Sequence, residues 1–235
     1  MGHTVRVNFN RPVPLFPLPG TVLLPHAVQQ LHIFESRYRQ MVDDCLDQSG
    51  QIAMASFVSD RDPSNGSRPP IRPAVCIGEI IQHERLPAGR HNILLHGVCR
   101  ARITEVVEPD SSRPYRLARL APLESLESVE QTAPTLTGVR RRLEHILRGD
   151  RFQRMRSVGT VLKWFDSEDV PTMALLELIG FTLIKDHELK YRLLAEPDAR
   201  RRAALIKGEL CSLDRVIALA DLQASDEWPK GMSWN

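Results

Sequence analysis

Residues 13–42 read VPLFPLPGTVLLPHAVQQLHIFESRYRQMV, an apolar stretch that carries four prolines. A proline has no amide hydrogen to give to a sheet ladder. Pro14, Pro17, Pro19 and Pro25 are therefore expected to keep the segment out of a central strand and make it an edge strand or an extended wrap closing a sheet. After Phe34 the pattern changes. Tyr38, Met41, Val42, Cys45 and Leu46 fall at i, i+3, i+4, i+7 and i+8, and Gly50 stands where a helix would stop, so a short amphipathic helix follows the wrap. Of Leu31 and Ile33, at least one is expected to face a core.

Outward from this stretch, the chain divides by period. Up to residue 121 it alternates β-type runs with turn signals, among them QIAMASF, AVCIGEIIQHERL, HNILLHGVCRARITEVVE and YRLARLAPL. Pro87 and Gly89 supply a hairpin between the second and third, and Gly97 inside the third suggests a bulge or barrel corner. Residues 58–73 carry almost no apolar anchor and read as a long loop, functional or disordered. Beyond residue 135 the apolar period is helical, with helices expected at 135–155, 157–166, 171–184, 187–195 and 197–222. In the last, Ala199, Ala203, Ile206, Leu210, Leu213, Ile217 and Ala220 alternate steps of four and three. The three alanines suit close packing within a bundle better than a dimer zipper, so a monomer or weak dimer is expected. The fold class is α+β: a β-rich unit over 1–121 with an embedded helix, a polar and acidic linker over 122–134, and an all-α unit over 135–235 ending in a long helix.

Composition sets the functional frame. The chain has 235 residues, 42% hydrophobic and 26% charged, with a net charge of +2, the profile of an ordinary globular protein. No apolar run approaches the ~20 residues that span a bilayer, and the N-terminus lacks the apolar core of a signal peptide, so a cytoplasmic location without membrane attachment is expected. Myristoylation wants Ser or Thr at position 6, where Arg6 stands. Cys45, Cys76, Cys99 and Cys211 are too scattered for a zinc site or a disulfide framework.

The wrap, LHIFESRYRQMV and VCIGEIIQHERLPAGRHNILLHGVCRARI together resemble the N-terminal substrate-binding domain family of ATP-dependent Lon proteases, and KYRLLAEPDARRRAALIKGEL continues the likeness, so that it covers the chain from Val13 to about Leu222. The family commonly has proline where Ser36 stands, aspartate at Ala88 and glycine at His26. The resemblance implies a PUA-like β-barrel followed by a helical subdomain, and a free-standing, non-catalytic module that binds unfolded or extended polypeptide, or a fixed protein partner. The residues placed on the binding surface are Phe16, His32, Phe34, Glu35, Arg37, Tyr38 and Arg90. An acid and a base at the mouth of a helix more often cap and solvate it, which is the favoured reading of Glu35 and Arg37, and Tyr38 belongs to the helix's apolar stripe.

No G-x-x-x-x-G-K-[ST] loop is present to cradle nucleotide phosphates, no G-x-S-x-G elbow occurs, and none of the five lysines stands in a recognisable Ser-Lys context. No catalytic residue, cofactor or metal is expected. His91 and His96 are five apart on one strand and so lie on opposite faces, unable to share a metal. Between residues 140 and 156, seven arginines against Glu144 and Asp150 suggest a nucleic-acid patch, for which Arg140, Arg141, Arg142 and Arg148 are the candidates. Arg140, Arg141 and Arg142 spread around a helix instead of forming a stripe, so RNA binding ranks second.

Overall fold

The computed structural model describes residues 6–58, 69–124, 136–167 and 169–222. Its order is β1 (Val13–Pro17), β2 (Val28–Ile33), α1 (Ser36–Leu46), β3 (Gln51–Ala55), β4 (Ala74–Arg85), β5 (His91–Val107) and β6 (Leu117–Pro122). The helices α2 (Thr137–Leu147), α3 (Asp150–Gln153), α4 (Arg156–Asp166), α5 (Thr172–Leu183), α6 (His187–Ala195) and α7 (Ala199–Leu222) follow. The six strands run β2-β5-β4-β3-β1-β6, and β5 also pairs with β6, so β1, β3, β4, β5 and β6 close on themselves. The ring leaves β2 outside as a flange on the first half of β5.

The expectation that prolines bar a central strand is corrected here. β1 pairs with β3 on one side and β6 on the other. Leu15 N–H donates to Arg116 O of the segment leading into β6 at 2.9 Å, and Leu18 N–H donates to Ala55 O at the end of β3 at 3.1 Å. Odd-numbered amides thus face β6 and even-numbered ones face β3. Pairing with β6 is confined to Val13 and Pro14, whereas that with β3 covers Leu15 to Pro17. Pro14 lacks its amide on the β3 side before that ladder begins, and Pro17 lacks its amide on the β6 side after that ladder has ended. Neither removes a ladder bond.

β5 is long enough to serve both the flange and the barrel because it bends. Its register with β4 shifts between Ile77 and Gly78, so that Gly78 faces Gly97 while Ile77 faces Cys99, an irregularity at the position the glycine marks in the sequence. Gly97 N–H donates to Ala27 O, and its carbonyl accepts from His26 N–H, both at 2.8 Å. His26 at φ +64° and Ala88 at φ +63° occupy the left-handed region, which glycine enters without steric penalty. Pro87–Gly89 forms a 3-10 turn, closed by Leu86 N–H donating to Arg90 O at 2.8 Å.

α1 buries Tyr38, Met41, Val42 and Cys45, the stripe read from the sequence, whereas Leu46 is exposed. Gly50 at φ +67° turns the chain out of it and returns an amide to Cys45 O at 2.9 Å. The helix expected over 135–155 is two helices, since Gly149 is extended (φ −62°, ψ 143°) and restarts the chain as the N-cap of α3, which carries Phe152 into the core. α7 starts at Ala199 rather than at Pro197. Asp198 accepts the amides of Arg200 and Arg201 at 2.7 and 3.3 Å, and these bonds hold its carboxyl below the usual range. Ala199, Ala203, Ile206 and Leu210 of the expected seam are buried within the chain.

Two apolar clusters result. Val13, Leu15, Ala53, Val75, Ile77, Ala101 and Leu120 fill one. The other runs from Phe16, Leu24 and Leu95 of the β half through to Leu147, Phe152, Leu176 and Ile206 of the helices, so both halves contribute to a single core. Residues 59–68 of the long loop and 125–134 of the linker lie outside the described residues. Leu31 and Ile33, two apart on β2, share a face and are both buried. Leu31→Asp or Ile33→Asp is expected to abolish folding, because a buried unpaired carboxylate costs several kcal/mol out of a total of roughly 5–15. Soluble, fully folded protein from both substitutions, judged by circular dichroism, would contradict this placement.

Candidate polypeptide-binding face

The flange of β2, the first half of β5 and the end of β4 has two unlike faces. Leu31, Ile33, Ile93 and Leu95 point inward and are buried. By alternation Val28, Gln30 and His32 share the outer face with Asn92, Leu94 and His96, and Val28, Gln30 and His32 are all exposed. Phe34, one residue past β2, continues their parity and is 64% exposed. Val28, at the other end of β2 on the same side, is 44% exposed, so exposed apolar side chains stand at both ends of this face.

His32 Nδ1 lies 2.8 Å from Asn92 Oδ1, and Asn92 Nδ2 donates to Glu84 Oε2 at 3.0 Å. Since the Asn92 nitrogen donates to the carboxylate, its oxygen must accept, and neutral His32 then carries its proton on Nδ1. Nε2 is left as an acceptor. This chain of bonds across three strands fixes the imidazole, and the Phe34 ring stacks on it at 6.2 Å with an interplanar angle of 24°. Phe34 is thereby held out in solvent against a rigid polar support.

The residues read from the sequence separate into two groups. His32 and Phe34 form the face. Glu35 and Arg37 flank it as an ion pair of 2.7 Å, with Arg37 also 4.5 Å from the centre of the Tyr38 ring. Arg90 is exposed at the hairpin, where its Nε donates to Pro87 O at 3.3 Å. Phe16 and Tyr38 do not join them. They are 3% and 5% exposed and pack edge to face at 4.6 Å, and burial raises the Tyr38 pKa. Their placement on the binding surface is corrected to the core, where they anchor β1 to α1. Asn92, Leu94 and Val28 are functional candidates that sequence reading missed. The signal available was their parity relative to His32, which becomes usable only once the β2–β5 register is known.

The arginine segment is largely spent on structure. Arg140 donates to the carbonyls of Val170, Phe165 and Ser167 at 2.7, 3.0 and 3.1 Å, closing the end of α4. Arg148 pairs with Glu144 and Asp166, Arg151 with Asp214 and Arg154 with Asp221. A continuous cationic surface needs unneutralised side chains on one face, and Arg140 and Arg148 are removed from it. Arg141 and Arg142 remain exposed.

A second polar cluster, not anticipated from sequence, ties the two halves together. Arg100 of β5 contacts Glu177 of α5 and lies 3.4 Å from Glu124, while Arg202 of α7 reaches Glu124 at 2.6 Å and Glu177 at 3.0 Å. Burial works against the Arg100 charge, but Glu177 and Glu124 outweigh it and its pKa rises. The signal was Glu177 itself, a lone carboxylate in the apolar run MALLELIGF. On the inner side of the flange, buried His91 lies 3.0 Å from His83 and 3.6 Å from Asp43. His96 is on the opposite face, as alternation requires. Among the described residues no group of three or more His, Cys, Asp or Glu is placed to hold a metal ion, and no helix is long and apolar enough to cross a membrane.

Comparison with known proteins agrees with this architecture. Residues 12–211 match the family model of the ATP-dependent protease La (LON) substrate-binding domain. Lon protease 3 of Sorangium cellulosum (strain So ce56) is 32% identical over 101 residues, 42% of this chain and 12% of that protein, so the match spans only a small part of that relative. The N-terminal domain of the Mycobacterium avium complex Lon protease superposes with a TM-score of 0.62 at 20% identity, covering 86% of this chain and 98% of that domain. The Lon N-terminal domain protein from Xanthomonas campestris gives 0.56 at 18% identity, covering 84% and 98%. These two structures share the mixed fold of a sheet followed by helices, and with the family model matched over most of its length, the chain belongs to the Lon substrate-binding domain family.

Proposed function

We propose that this domain holds extended or unfolded segments of other polypeptides on the outer face of the flange, and that it contributes binding and no chemistry of its own. The observation that carries this is Phe34, 64% exposed and stacked on His32. A chain laid along this face would cover Phe34 and, at the far end of β2, Val28, taking both apolar side chains out of water. The family description supports the reading, since it assigns substrate binding to this kind of domain within a protease.

Ordering an unfolded chain consumes much of the contact energy, so affinity of about micromolar or poorer is expected. Fluorescence anisotropy with labelled, reduced and carboxymethylated α-lactalbumin tests it. Phe34→Ser is expected to weaken binding about tenfold, the loss of one well-covered apolar contact of ~1.5 kcal/mol. Because apolar contacts are insensitive to counterions, moderate salt is expected to change the affinity little. RNA binding that is steeply salt-dependent and lost in Arg141→Glu/Arg142→Glu, with no unfolded protein bound, would reverse the conclusion.

A further inference from the structure

Among the described residues β2 is an open sheet edge. Its register with β5 runs from Val28 opposite His96 to Ile33 opposite His91, and the bond from Gly97 N–H to Ala27 O sets which pairs exchange hydrogen bonds. In an antiparallel ladder these pairs alternate. Gln29, Leu31 and Ile33 therefore bond to β5, and the backbone groups of Val28, Gln30 and His32 point away from it. Among the described residues β2 pairs with β5 alone. Gln30 O accepts from Gln29 Nε2 at 2.9 Å, a solvent-exposed contact from the neighbouring side chain.

Sheet edges are ordinarily protected by proline, lysine, inward charge or a bulge. VQQLHI has none of these. It contains no acid, lysine or arginine, holds an unbroken register of six residues, and presents beside the open backbone the side chains of Val28, Gln30, His32 and, past its end, Phe34. The flanking charges do not repel a chain of either sign, since Glu35 and Arg37 neutralise each other. What this edge fits is another strand whose outer-face side chains are apolar at alternate positions and whose paired positions are not proline.

We propose that the polypeptide held by this domain binds by strand addition, pairing its backbone with Val28, Gln30 and His32 and laying alternate side chains against Val28 and Phe34. This rests on the polypeptide-binding reading and specifies its mode. Main-chain pairing supplies contacts that any sequence can make, and the alternate apolar positions supply the preference, a combination suited to clients of varied sequence in the unfolded state.

Only every second amide of an added strand faces its partner. The full chain is titrated with a short fluorescein-labelled peptide of alternating leucine and threonine between lysine ends, and with two versions N-methylated on one or the other alternate set of amides. One set is expected to abolish binding and the other to leave it intact. Gln30→Pro removes an amide hydrogen that points outward, so the β2–β5 ladder keeps its bonds. It is expected to weaken the unmodified peptide about tenfold, the order of one lost backbone hydrogen bond plus the accompanying steric obstruction. Gln30→Ala keeps that amide hydrogen and is expected to weaken the peptide less than Gln30→Pro does. Equal effects of the two methylated sets, or a folded Gln30→Pro that binds normally, would overturn strand addition while leaving polypeptide binding in place. If Gln30→Pro does not fold, the methylated pair decides. Binding of neither the peptide nor carboxymethylated α-lactalbumin to the wild type would overturn both conclusions. Self-association that Gln30→Pro removes, with the two methylated peptides binding alike, would assign the edge to a second copy of the chain.

Discussion

Glu177→Leu is expected to lower the stability of the domain by about 3–5 kcal/mol, the usual consequence of removing one partner from a buried ion pair. Glu177 is 4% exposed at its side chain and contacts Arg100 and Arg202, each 1% exposed. Without it, two buried guanidinium groups share Glu124, which is 17% exposed. The cost is a large part of a total stability of roughly 5–15 kcal/mol. Its location predicts the phenotype too, because Arg100 lies in the β half and Arg202 in the helices, so their docking should loosen as stability falls. Urea unfolding of the variant, with Glu144→Ala as reference, checks this. Glu144 pairs with Arg148 at the surface, where such pairs contribute about 1 kcal/mol or less. Equal unfolding midpoints for the two variants would show that water enters the cluster and screens it. Replacing Arg100 and Arg202 by methionine together with Glu177→Leu is expected to recover much of the loss, since apolar side chains of similar volume have no charge to desolvate.

Gly97→Ala is the second substitution expected to be severe. A Cβ built on Gly97 would lie 2.2 Å from Leu24 O and 2.9 Å from Leu24 C. The obstacle is backbone. Leu24 is fully buried, and its carbonyl accepts from Ala27 N–H at 3.2 Å, so it has nowhere to retreat. Overpacking costs about 1–3 kcal/mol; the upper end applies where the obstacle is backbone, and here it also strikes the His26 and Ala27 bonds that attach the flange to β5. Gly159→Ala makes the same chemical change with the opposite sign. It lies inside α4 with nothing within 4 Å of the added Cβ, and the gain in helix propensity is roughly 0.5–1 kcal/mol. Thermal melts of both variants test the pair of predictions, and a Gly97→Ala protein as stable as the wild type would mean that β5 passes Leu24 at a greater distance.

Much of the architecture was legible because it is set by local periodicity. The stripe Tyr38, Met41, Val42 and Cys45 marks α1 and its buried face, Pro87 and Gly89 mark the hairpin, and five-residue spacing separates His91 from His96, all within a few residues of chain. Where one short-range signal had to stand for a long-range fact, it misled. Pro14 and Pro17 read as a bar to central pairing, yet the bar applies only on the side where each missing amide would have donated, and the staggered ends of β3 and β6 determine that side. Gly149 was a local signal, but the helical period on both sides of it overrode its reading as a break.

The candidate site depended still more on distant partners. Phe16 and Phe34 are alike in sequence as aromatics of one apolar stretch, and only the positions of Tyr38 and His32 make the first core and the second surface. The seven arginines of 140–156 looked like a patch because their acceptors, Val170 O, Asp214 and Asp221, lie elsewhere in the chain. By itself the sequence determined which segments are strand or helix, where β5 bends and to which family the whole pattern is similar, since those follow from spacing along the chain. The tertiary structure alone decided which edge stays open, which charges are neutralised and which aromatic faces water, because each depends on what another part of the chain brings within a few ångströms.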